Sequence, residues 1–228
     1  MNIQPCSVIR EAEQAVFASG ATTSAALMST VVERLWQATR HEPVLCGMKP
    51  QRVVVYAGRG NNAGDALGLA ARFQCPVTLR AVCEPQAFSP ESLEQFAQLA
   101  GHELSVAKPA PQEGLLIIDG LLGSGATGAL REPYAALVEE LNELRAQSPR
   151  SCTLAIDVPT GLNADTGEVL GTLTNVDTRG HADLYTVKTA NGEALLPAVP
   201  EFVIKIDLED AIYVRPIPGL LDGGSEQV

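Results

Sequence analysis

Long hydrophobic runs are missing from this chain of 228 residues. Its apolar stretches are short strand-length pieces, far below the roughly 20 residues that a membrane helix needs, so no membrane span is expected. Nor does the start, MNIQPCSVIREAEQAVF, place an apolar core behind a basic leader, and the expected location is the cytoplasm. Basic charge is also in deficit: 16 Lys and Arg stand against 27 Asp and Glu, a formal charge of −11. Such a surface repels a phosphate backbone on average, which excludes nucleic acid as the expected partner but leaves room for a local basic pocket. Cysteines number five (Cys6, Cys46, Cys75, Cys83, Cys152) with no CxxC pair. An odd count without a leader reads as reduced thiols, with Cys75, Cys83 and Cys152 acting as small hydrophobes in apolar runs. What remains, 46% hydrophobic and 19% charged residues, is the composition of a soluble globular protein.

Two helices are expected first, over residues 11–19 and 25–39, with Leu27, Val31, Val32, Leu35 and Trp36 at helical spacing and Ser24 as N-cap. Strands and helices then alternate. Val53–Tyr56 is a β-branched run ending at Gly58, followed by a helix over 63–73. A strand at 76–82, a helix at 89–100, a continuously apolar strand at 115–118 and a helix at 132–147 come next, the last with Pro133 in its first turn. Another strand covers 153–156, and two more are read at 184–187 and 202–206. Apolar strands separated by helices mark an α/β fold, a Rossmann-like three-layer sandwich with a mostly parallel central sheet. A single domain over 1–215 is expected, including N-terminal helices within 1–45, with 216–228 as a flexible tail.

Right-handed crossovers bring the C-terminal ends of parallel strands to one edge, where α/β folds bind ligands. Three such ends carry unusual clusters. They are Gly58–Asp65 (GRGNNAGD), Asp119–Gly128 (DGLLGSGATG) and Asp157–Asn163 (DVPTGLN). Glycines behind a strand allow a tight turn and present N–H groups to an anion. The first loop lacks the GxGxxG order, and no GKS or GKT exists. Asp119 or Asp157 alone could be a loop cap. Together with Asn61, Asn62 and Thr160 they form an oxygen-rich, weakly charged set that suits a hard cation of low charge better than zinc. His41, His102 and His181 are isolated in the sequence.

The ordered set GxGNNxGD, IDGLLGSGATG–REPY, AIDVPTGLNADTG and HADLYTVKTANGEAL, from about Glu11 to about Ile206, resembles the YjeF N-terminal domain family, the NAD(P)H-hydrate epimerases. The resemblance implies an enzyme that interconverts the R and S forms of hydrated NADH and NADPH, supplying the epimer used by a separate dehydratase, and it implies a homodimer. By position, Asn61, Asn62, Ala63, Gly64 and Asp65 would hold the substrate. So would the loop Gly123, Ser124, Gly125, Ala126, Thr127, Gly128 and Ala129, mainly through backbone N–H groups. Asn62, Asp119 and Thr160 would bind a potassium ion, and Asp157 would act as general acid/base at the reactive ring.

The pattern departs from the family in places. Ala63 and Ala66 stand where the family motif GNNGGDG has glycine, and an added methyl can block backbone approach or exclude positive φ. LMxxAG becomes Leu27–Val32 (LMSTVV), and TVKTANGEALL replaces TFGAPKxGLL, with Lys188 nearby. A non-catalytic, dimeric binding or scaffold member of the family is the alternative reading. A nucleotide-dependent dehydrogenase, with Glu84 near the ribose position, is a third.

Overall fold

The computed structural model describes residues 5–41, 49–126, 130–164, 172–177, 184–189, 192–197, 199, 203–206 and 212–214. They fall in two compact units, the first Met1–Gly125 with Glu139–Thr160, the second Ala126–Val138 with Gly161–Val228.

The first unit is built on a five-stranded sheet, all parallel, in the order β3-β2-β1-β4-β5. Its strands are β1 (Arg52–Ala57), β2 (Val77–Ala81), β3 (Leu104–Ser105), β4 (Leu115–Gly120) and β5 (Cys152–Ala155). The two central strands, β1 and β4, consist of residues that are apolar on both sides, so each can be buried on both faces. One face presents Val53, Val55, Ala57, Leu116 and Ile118 to Ala63, Ala66, Leu67, Leu69 and Ala70 of helix α3 (Asn61–Ala70). On the other, Tyr56 is fully buried and donates its hydroxyl to Glu140 Oε1 (3.2 Å) on helix α5 (Tyr134–Gln147). Glu140 also accepts from Arg80 Nε (2.7 Å) and Nη2 (2.9 Å), a bidentate pair that answers its buried charge. Burial, and then Glu140, push the Tyr56 phenol far above its ordinary range. The sheet is thus covered on both sides, as the α/β pattern requires.

Helices α1 (Cys6–Ala18) and α2 (Ser24–His41) precede the sheet, and α4 (Pro90–Ala97) follows β2. The cap of α2 differs from expectation. Thr23 Oγ1, not Ser24, accepts from the Ala26 N–H (3.2 Å), so Ser24 is the first helical residue. Helix α3 starts two residues earlier than its apolar periodicity suggests, because the paired asparagines already adopt helical backbone after Gly60. Strand β3 is two residues long and exposed at Leu104, leaving no periodicity to detect. Of the expected thiols, Cys75, Cys83 and Cys152 pack half-buried against the core as free cysteines, and Cys46 lies outside the described residues.

The second unit contains the antiparallel sheet β6-β7-β8, formed by Thr172–Asp177, Leu184–Thr189 and Gly192–Pro197. It also holds the antiparallel pair β9 (Val203–Ile206) and β10 (Ile212–Val214). The strands read at 184–187 and 202–206 therefore exist, but they pair outside the parallel sheet. Hairpin connections explain this: short links between successive strands permit only antiparallel pairing. No helix among the described residues is long and apolar enough to cross a membrane.

Candidate functional site

Sheet register aligns the ends of the central strands. Ala57 faces Gly120 across β1 and β4, and Asp119 faces Ala155 across β4 and β5. The chain segments that leave these strands therefore emerge side by side, tied by the Gly58 N–H to Gly120 O (3.0 Å) and the Ile156 N–H to Asp119 O (2.8 Å).

The Asp119 side chain is 5% exposed and accepts three hydrogen bonds within this edge. Its Oδ1 accepts from the Leu121 N–H (3.2 Å) and the Thr160 hydroxyl (2.7 Å), and Oδ2 accepts from the Thr160 N–H (2.7 Å). Thr160 Oγ1 in turn accepts from the Leu122 N–H (3.1 Å), which closes the ring between the two loops. Burial pushes the Asp119 carboxyl above its usual range, while the two Thr160 bonds and the Leu121 N–H hold it down.

Asn62 reaches across the same edge from α3. Its Nδ2 donates to Leu122 O (3.1 Å) and to Ile156 O (3.0 Å), so one amide joins the loops after β4 and β5. With Nδ2 committed to both loops, Oδ1 takes no part in those bonds. Asp157 lies beside it, exposed, and its Oδ2 accepts from the Ser124 N–H (2.7 Å). The Asp157 backbone has φ 67°, a left-handed conformation that short polar side chains tolerate and that recurs at functional sites. Gly123 is fitted between the two. A Cβ there would stand 2.5 Å from Asn62 Nδ2 and 2.7 Å from Asp157 Oδ2. Only a hydrogen fits.

Asp65 completes the constellation. Its Oδ1 is buried and accepts no hydrogen bond. Desolvation, with the Asp157 charge second, pushes its carboxyl up to about 7. A carboxyl raised in this way can give and take a proton near neutral pH.

The structure thus gathers Asn62, Asp65, Asp119, Gly123, Ser124, Asp157 and Thr160 at one edge of one sheet. Asn61 is exposed at the first position of α3, while Ala63 and Gly64 are buried. Ala63 and Ala66 are both 0% exposed and belong to the hydrophobic core. Their methyls are therefore packed within the core, and as helical residues neither needs positive φ. Gly120 makes space for the second. A Cβ at Gly120 would meet the Ala66 Cβ at 2.5 Å, so the extra methyl of one position is housed by its absence at the other. Gly125 and Ala126 are described, but Thr127, Gly128 and Ala129 lie outside the described residues. Sequence reasoning did not identify Arg10 of α1, whose Nη1 would be 3.8 Å from a Cβ on Gly125. Nothing in a helix 115 positions away signals that approach. His102 Nε2 bonds Phe73 O (2.9 Å) and His41 Nδ1 bonds Gln37 O (2.7 Å), both remote from this edge; His181 lies outside the described residues. No cluster of three or more His, Cys, Asp or Glu able to hold a metal occurs among the described residues.

This edge lies within the part of the chain that matches known proteins. Residues 160–220 match the RimM PRC barrel domain, which takes in the segment from His181 to Leu195 and the antiparallel strands. A bifunctional NAD(P)H-hydrate repair enzyme Nnr of Hyperthermus butylicus is 36% identical over 160 residues, 64% of this chain and 29% of that protein. An NAD(P)H-hydrate epimerase of Rhodopirellula baltica is 35% identical over 126 residues, 51% of this chain and 50% of its own. One of Cenarchaeum symbiosum is 35% identical over 143 residues, covering 55% and 61%. The chain thus spans less than two thirds of each of these relatives. Residues 21–179, well over half of the chain and including every described strand of the parallel sheet, match the family described as YjeF-related protein N-terminus, and the chain belongs to that family.

Proposed function

We propose that the chain is an NAD(P)H-hydrate epimerase, interconverting the R and S forms of hydrated NADH and NADPH. The observation that carries this reading is the placement of Asp157. Its carboxylate is anchored by the Ser124 N–H on one oxygen, lies beside Asn62 across a glycine, and acts electrostatically on a second, buried carboxyl, Asp65. The substrate's C6 carries a hydroxyl next to a ring nitrogen. The hydroxyl leaves as water with the nitrogen lone pair assisting, or the ring opens at that carbon, and return to the opposite face inverts the centre. Asp157 serves as general acid in the outward step and as general base in the return. The loop beginning at Gly123 and the start of α3 supply N–H groups for the diphosphate.

A potassium ion fits the donor set at this edge. Asn62 Oδ1 is not engaged by the amide's inward bonds, Asp119 Oδ2 takes one donor, and Thr160 Oγ1 takes one donor and gives one, so each oxygen retains a lone pair. Asn62, Asp119 and Thr160 would hold the ion, which would supply positive charge to the loops and the diphosphate. A homodimer as the working assembly, a dehydratase that consumes the S form, and a cytoplasmic location complete the proposal.

The test follows R-hydrate of NADH above its spontaneous rate in potassium buffer, coupled to an S-specific dehydratase. Asp157→Asn is the variant of choice, because asparagine tolerates the left-handed backbone at this position. Wild type should accelerate epimerisation and the variant should lose about a hundredfold or more. A folded wild type that gives no acceleration would refute the enzyme reading and leave a ligand-binding member of the family.

A further inference from the structure

The loop between β1 and α3 is held differently at its two ends. At Gly58 the backbone is wedged against Leu121, where any Cβ would collide with the Leu121 carbonyl. At Gly60 nothing lies within 4 Å of the place a Cβ would occupy, so packing does not fix that residue. Gly60 is also the N-cap of α3, and no side chain caps the helix. Two hydrogen bonds hold its carbonyl instead. One comes from inside the helix, the Ala63 N–H at 3.1 Å, and the other from α4, the Ser92 hydroxyl at 3.0 Å.

Ser92 is a fully buried polar residue, a position that costs free energy unless every polar group is bonded. Its bonds are directional. Ser89 Oγ, the cap of α4, donates to Ser92 Oγ (3.0 Å) and accepts from the Ser92 N–H (3.2 Å). Receiving that proton, Ser92 has its own committed to Gly60 O. A trans peptide is planar, so the Gly60 carbonyl and the Asn61 N–H point in opposite directions. Fixing the carbonyl toward α4 aims the Asn61 N–H out of the helix N-terminus, where the first amides have no partner within the helix.

We propose that Ser92 is a positioning residue for the substrate loop: through Gly60 it holds the first peptide of α3 so that its N–H stays directed at a diphosphate. The substrate's identity rests on the epimerase reading above, whereas the orientation of the peptide does not. Ser89 provides the control. Removing its hydroxyl uncaps α4 but leaves the Ser92 hydroxyl free to bond Gly60.

The experiment uses the full chain, labelled with ¹⁵N, as wild type, Ser92→Ala and Ser89→Ala, with Ser92→Cys as a near-isosteric weak donor should the alanine variant fold poorly. Amide shifts of Asn61 and Asn62 are read without ligand, and KM and kcat are read on the R hydrate of NADH. Ser92→Ala should move the Asn61 and Asn62 amides and raise KM by roughly three- to tenfold, the worth of one net hydrogen bond, with kcat within about twofold of wild type. Ser89→Ala should lower stability at least as much yet leave both amides and KM near wild type. Unmoved Asn61 and Asn62 amides in Ser92→Ala or Ser92→Cys overturn the proposal, as do equal KM changes in the Ser92 and Ser89 alanine variants. A wild type without epimerase activity would sink the functional reading, while the amide shifts would still decide the role of Ser92.

Discussion

Replacing Thr160 by valine deletes one hydroxyl while keeping the shape of the side chain, which isolates the ring that joins Asp119 to the loop after β4. Two bonds disappear. The hydroxyl no longer donates to Asp119 Oδ1 (2.7 Å), a charge-assisted bond worth about 1.5–3 kcal/mol, and the Leu122 N–H (3.1 Å) loses its acceptor, about 1 kcal/mol at a part-buried position. The expected loss is therefore about 3 kcal/mol. Thr160→Ser retains both bonds and should lose under about 1 kcal/mol. Trp36, the single tryptophan, packs edge-on against Phe73 at 5.3 Å, so its fluorescence reports unfolding of the first unit. With a urea slope of about 2–3 kcal/mol/M, the midpoint should fall by about 1–1.5 M. The pH dependence has a definite sign. Burial already raises the Asp119 carboxyl, Thr160 pulls it down, and losing the hydroxyl raises it further. A raised carboxyl weakens the fold as pH climbs through its folded value, so the gap between variants should be widest at neutral pH. It should narrow as the medium approaches the ordinary carboxylate range near pH 4. A Thr160→Val protein within about 1 kcal/mol of wild type at pH 7, or a gap unchanged by acid, would refute this reading of the ring.

The folded-state value of about 7 at Asp65, against 3.8 for the free side chain, means that this residue costs stability progressively as pH rises from 3.8 through 7. Asp65→Asn should match wild type at about pH 4 and exceed it by roughly 2 kcal/mol at pH 8, after discounting for partial exposure; Trp36 melting curves with no such pH-dependent gap would argue against it. Gly123→Ala should reduce epimerisation by about a hundredfold or more while shifting stability by only about 1–2 kcal/mol, because the methyl must displace Asn62 and Asp157 rather than core atoms. Ala66→Gly, which restores the family residue, should lower stability by about 1 kcal/mol through helix propensity and leave kcat/KM unchanged; a tenfold gain in activity would show that the methyl obstructs the ligand after all.

Much of the first unit was legible because its signals are local. Val53–Tyr56 and Leu115–Ile118 are too apolar to face water on either side, and they form the centre of the sheet. Asp119 and Asp157, at or just past the ends of β4 and β5, were visible as polar residues terminating apolar runs. What was not legible depends on partners far away in sequence. The resemblance singles out Asn62 as a cation ligand, but nothing local announces that its amide bonds Leu122 and Ile156, 60 and 94 residues on. Asp65 is expected to hold substrate, but its burial and the effect of the Asp157 charge on it have no local signal. The alanines of the first loop suggested an obstructed phosphate site by comparison with glycine. Helix α3 begins before them, and its rotation turns both methyls into the core. Strands 184–187 and 202–206 were found as strands, but periodicity carries no information on whether a strand pairs in parallel or folds back on its neighbour.

Thr160 is the last residue of the first compact unit as well as the partner of Asp119. Every described carboxylate, amide and hydroxyl of the site lies at or before it, and the second family match begins at the same residue. The first family match runs on to residue 179, so the two matches share residues 160–179. A crossover just downstream of Thr160 would exchange the whole C-terminal continuation while leaving these groups on one uninterrupted piece of architecture, so that new modules can be joined to an old chemistry without rebuilding it.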